Sequence, residues 1–66
     1  MEKTKIYIQR APKESEARYV ALSASGDLLM SAMRLSDISE RWRLIDSHGG
    51  TELIRQLDKT WQPRKG

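Results

Sequence analysis

Asp46, Ser47 and His48, followed by Gly49, Gly50 and Thr51, form the one stretch of this chain where catalytic residue types crowd together. A carboxylate, a hydroxyl and an imidazole are the parts of a hydrolase triad. A triad needs the serine Oγ and the aspartate carboxylate on opposite nitrogens of one imidazole, assembled by the fold from separate positions. Three consecutive residues at a helix end send their side chains in different directions. The stretch therefore reads as a polar helix C-terminus, with His48 where the helix dipole favours a cation. Gly49-Gly50 ahead of Thr51 has the free N–H groups of an anion nest, and Arg55 would add charge one turn later. Neither the phosphate-loop pattern nor the dinucleotide fingerprint accompanies it, and a glycine pair is an ordinary connector between helices.

The carboxylates Glu14, Glu16, Asp37, Glu40, Asp46, Glu52 and Asp58 fall in loops or on helix exteriors, where solvent or nearby Lys and Arg balance them. No acid–base pair, nucleophile with its base, or metal cluster can be assembled from them. One histidine and no cysteine leave too few ligands for a tetrahedral zinc site. The expectation is a non-enzyme with no cofactor and no bound metal.

The elements that would position any binding residues follow from periodicity. Thr4 to Arg10 alternates, with Ile6 and Ile8 on one side and Lys5, Tyr7 and Gln9 on the other, which predicts a half-buried strand. A polar loop with Pro12 leads to a second strand from Ala17 to Ala24. Gly26-Asp27 then permits two readings. It is a two-residue hairpin turn, with Gly supplying a positive φ, or Asp27 caps a helix rich in Leu and Met. The hairpin is the stronger reading because an isolated two-stranded sheet is marginal. It pairs Leu22 with Ser31 and Val20 with Met33, and puts Val20, Leu22, Leu29 and Met33 in the core.

From Ser36 onward the pattern is helical. Asp37 and Glu40 resemble a capping box, and Leu35, Ile38, Trp42 and Ile45 form one apolar stripe that ends at Gly49-Gly50. Thr51 opens a second helix whose buried side is Leu53, Ile54, Leu57 and Trp61, with Pro63 stopping it. The expected fold is α+β: a three-stranded antiparallel sheet followed by two short helices, in one small domain over residues 1–62 with a flexible basic tail at 63–66.

Size and charge bound the function. At 66 residues without a disulfide, a domain buries only about 60% of its unfolded surface, and a second subunit is a natural staple. Twelve basic residues against nine acidic leave a net charge of +3, interspersed and not run together. The N-terminal residues lack the apolar core of a secretory signal, and no apolar run reaches the length of a membrane span. A cytoplasmic protein without a membrane partner is expected.

The predicted outward sheet face carries Lys5, Tyr7, Gln9, Tyr19, Ala21, Ser23, Met30, Ala32 and Arg34. Tyrosine, arginine and methionine fit the make-up of protein interfaces, and Trp61 near the chain end is a candidate anchor. The binding residues expected from sequence are thus Lys5, Tyr7, Gln9, Tyr19, Arg34 and Trp61. The first reading is a small regulator or inhibitor, of the kind mobile elements encode, that binds a protein partner or a second copy of itself. The alternative is a nucleic-acid-binding module using the same face with scattered Lys and Arg, since three strands followed by a helix is also the layout of some DNA readers.

Overall fold

The computed structural model describes residues 4–45 and 50–63. Its elements are β1 (Thr4–Arg10), β2 (Tyr19–Leu22), β3 (Leu28–Ala32), α1 (Leu35–Ile45) and β4 (Thr51–Thr60). The four strands form one sheet in the order β3-β2-β1-β4. β1 is antiparallel to β2, β2 is antiparallel to β3, and β4 is parallel to β1. So β3 and β4 run the same way at opposite edges, and the segment bearing α1 carries the chain from one edge to the other. The α+β class holds, with four strands and one helix among the described residues where three and two were expected.

The second helix is the main correction, because Thr51–Thr60 is a strand. Leu53 and Leu57 lie four apart, a spacing that serves a helix stripe and one side of a strand equally. What decides is the free edge of β1. Thr4 through Ile8 pair in order with Thr51 through Arg55, and each strand thereby satisfies backbone groups that water would otherwise have to serve. Past Arg55 the ladder slips, and Arg10 pairs next with Thr60, a bulge in β4.

The hairpin is present, and residues 28–32 are extended. Its turn is wider than two residues. Ser23 N–H donates to the Asp27 carbonyl at 2.9 Å and Gly26 N–H to the Ser23 carbonyl at 2.9 Å. The Ser25 hydroxyl donates to the Asp27 carboxylate at 3.0 Å. Gly26 has φ +90, a conformation that a Cβ makes costly. The wider turn moves the register by two: Val20 lies opposite Ser31 and Ala21 opposite Met30, with a bulge where Leu22 meets Leu28.

The two sides of the sheet also differ from the expected assignment. Ile8 lies opposite Ala21 and Tyr7 opposite Leu22, so Ile6 and Ile8 share a side with Tyr19 and Ala21, not with Val20 and Leu22. A one-position slip between strands exchanges whole faces. Ala21, fully buried beside Ile8, belongs to the cluster on the α1 side. Ile38 of α1, fully buried, packs onto Ile6, Ile8 and Ala21, with Leu35, Trp42, Leu53 and Leu57 around them. The apolar stripe Leu35, Ile38 and Trp42 is as expected. Asp37 is not a cap: it lies inside the first turn of α1, where a carboxylate is favoured by the dipole. Leu29 and Met33, expected in the core, are 46% and 53% exposed.

Candidate functional site

β1 and its neighbours build the side of the sheet away from α1. Cross-strand pairing places Lys5 beside Glu52, Tyr7 between Leu22 and Ile54, and Gln9 beside Val20, which in turn lies opposite Ser31. Gln9 Nε2 donates to Gln56 Oε1 at 2.9 Å, tying β1 to β4 across this side. Among the described residues no helix or strand lies over it. Val20 and Leu22 are buried, so this side is closed over β2, whereas over β1 and β4 Tyr7, Gln9, Ile54 and Gln56 are half-buried and Lys5 and Glu52 are exposed, as is Ser31 at the β3 edge. The surface is thus a half-covered tyrosine and isoleucine over an apolar floor, with amide and charged groups around them.

The six residues expected to bind do not come together. Lys5, Tyr7 and Gln9 share the open side. Tyr19 is on the other side, opposite Arg10 and Ala32, and packs against the core under α1. No tyrosine pair therefore exists on one face, and Tyr19 stands opposite Ala32, with Arg34 beyond the end of β3. Ala21 and Met30, expected outward, also belong to the helix-covered side, as does Ala32. Arg34 lies between β3 and α1 and reaches Asp37 at 3.7 Å with its side chain 79% exposed. Trp61 follows β4. Its N–H donates to the Arg10 carbonyl at 2.9 Å, and it lines a shallow groove with Pro12 and Pro63, so it is tied into the sheet end away from Tyr7.

Sequence reasoning missed Glu52, Ile54 and Gln56, because a helical reading of that segment scatters them. The signal available was the alternation of Thr51, Leu53, Arg55 and Leu57 against Glu52, Ile54 and Gln56. Asp46, Ser47 and His48 lie outside the described residues, as does Gly49. Among the described residues no three His, Cys, Asp or Glu side chains approach as a metal site would require. No helix among them is long and apolar enough to cross a membrane.

The exposed cations of the described residues are divided: Lys5 is on the open side, Arg43 and Arg55 line a groove beside α1 together with Glu40, and Arg10 and Lys13 line another with Glu14. No protein-family model, no curated protein and no solved structure matches this chain.

Proposed function

We propose that this chain is a small non-enzymatic protein-interaction module, a regulator or inhibitor, whose working surface is the open side of its sheet around Tyr7. The observation that carries the reading is that α1 covers one side while Tyr7 and Ile54 sit half-covered on the other with no described element above them. A tyrosine over an apolar floor with polar groups at the rim is the arrangement of an interface hot spot. The partner it fits is a protein surface with an apolar centre. Lys5 and Glu52, side by side and of opposite sign, would fix its orientation more than its affinity.

The nucleic-acid reading has less behind it. Phosphate binding draws on a contiguous basic surface, and among the described residues the cations are divided among separate grooves and faces with carboxylates among them.

The experiment is affinity capture from cell extract with and without nuclease, comparing the wild type with Tyr7→Ala combined with Ile54→Ser. Loss of a nuclease-resistant partner in the variant, with an unchanged circular dichroism spectrum, supports the reading. Unchanged capture moves the interface elsewhere. Capture that disappears with nuclease, or retention on duplex DNA that falls steeply with salt, replaces the reading with nucleic-acid binding.

A further inference from the structure

The two edges of the sheet are built differently. β4 carries Glu52, Arg55, Asp58 and Lys59 and is interrupted by a bulge, both of which discourage pairing with another strand. β3, Leu28-Leu29-Met30-Ser31-Ala32, has no charged residue, and its own bulge is at Leu29, the residue left over where Ala21–Met30 gives way to Leu22–Leu28, so that Met30 to Ala32 are its regular part. An edge strand presents unpaired N–H and C=O groups. The large hydrophobic residues exposed among the described residues are Leu28 at 47%, Leu29 at 46% and Met33 at 53%. All three are on β3 or next to it. One edge is guarded and the other is sticky.

We infer that the β3 edge is occupied by the β3 edge of a second copy of this chain, paired antiparallel about a two-fold axis at Ser31. In that register Met30, Ser31 and Ala32 pair with the same three residues of the second copy, and Leu29 and Met33 flank the ladder, Met33 just past the end of β3. Leu29 comes opposite Met33 of the second copy, so the exposed apolar residues cover one another, and the larger Met30 comes opposite the smaller Ala32. No like charges meet between positions 28 and 33. Asp27 and Arg34, of opposite sign, bound the run at its two ends, and the two-fold brings Asp27 of each copy within one position of Arg34 of the other. A two-fold axis normal to the sheet is what antiparallel pairing of identical strands requires, and such an interface is isologous. It places both copies of α1 on one side and joins the two open sides on the other.

A second copy also fits the size of the chain. The buried apolar core is Ile6, Ile8, Val20, Ala21, Leu22 and Ile38, a small set for a chain with no disulfide. This inference concerns the β3 edge and stands apart from the reading of the Tyr7 surface, so either can fail alone.

The test is molar mass by sedimentation equilibrium over a wide concentration range. The wild type is expected to reach twice 7.6 kDa. Leu29→Lys with Met33→Lys should raise the dimer dissociation constant about 100-fold, because symmetry repeats each substitution and about 1.4 kcal/mol corresponds to tenfold. Both sites are exposed, so thermal melting at low concentration should show a folded monomer. Since the chain has no cysteine, Ser31→Cys adds a single thiol on the proposed axis. Oxidation should give a covalent dimer rapidly, and Lys59→Cys on β4 should not. A wild type that stays monomeric throughout overturns the inference. So does association unaffected by the double lysine variant, or crosslinking through Lys59→Cys as fast as through Ser31→Cys.

Discussion

β3 and β4 are both edge strands, yet they are attached to the sheet in opposite ways. β3 joins β2 through a turn of residues 23–27, closed by hydrogen bonds among Ser23, Gly26 and Asp27. β4 reaches β1 only after α1 has crossed the sheet, and its pairing is parallel. Closing a short loop costs less chain entropy than closing a long one, so β3 is held mainly by local contacts. β4 has the longer ladder, on a partner distant in sequence, and its Leu53 and Leu57 pack against the cluster that Ile38 of α1 completes. The strand with the stronger local attachment is also the one without charge. The strand whose partner is distant in the chain carries charges that keep other strands away while that partner is found.

The largest expected effect tests the dependence of β4 on α1. Ile38 is fully buried against Ile6, Ile8 and Ala21, so Ile38→Ala should cost about 2–5 kcal/mol. That is most of the stability of a small domain. Urea denaturation followed by tryptophan fluorescence is the measurement. A loss below about 1 kcal/mol would mean the sheet does not need the helix layer.

Gly26→Ala tests the β3 attachment. A Cβ there meets nothing within 4 Å, so the expected cost, about 1 kcal/mol, comes from the positive φ alone. Gly26→Asn should recover part of it, because asparagine tolerates that conformation better. Equal destabilisation by both residues in urea titrations would argue against a left-handed residue in the turn.

Gln9→Ala removes the side-chain bond to Gln56 across the β1–β4 junction. The expected cost is about 0.5–1.5 kcal/mol. A double-mutant cycle with Gln56→Ala should show coupling, and strict additivity would mean the two amides do not meet. The smallest effect belongs to Arg34→Ala. Its pair with Asp37 is long and exposed, so the change in melting free energy should stay below about 0.5 kcal/mol.

What the sequence revealed follows the same division between local and distant. The alternation of Ile6 and Ile8, the glycine turn and the stripe of Leu35, Ile38 and Trp42 each depend on neighbours in the chain, and each was legible. The hairpin register was not, because Ser23 and Ser25 extend the turn through hydroxyl bonds that composition does not distinguish from a two-residue Gly-Asp turn. β4 was not legible either, since Leu53 and Leu57 satisfy both periods and the deciding partner is β1, far away in sequence. The candidate site suffered most. Slipping β2 by one position against β1 moved Tyr19 under α1, and turning the last helix into a strand brought Ile54 and Gln56 beside Tyr7 and Gln9.

The parallel docking of β4 on β1 creates the open side and leaves β3 as the uncharged edge. A nuclear Overhauser spectrum of the labelled protein tests it most directly. Cross-strand backbone contacts between Ile6 and Leu53 and between Tyr7 and Ile54 are the predicted result. Sequential helical contacts running through residues 51–60, with no contact from that segment to β1, would contradict it.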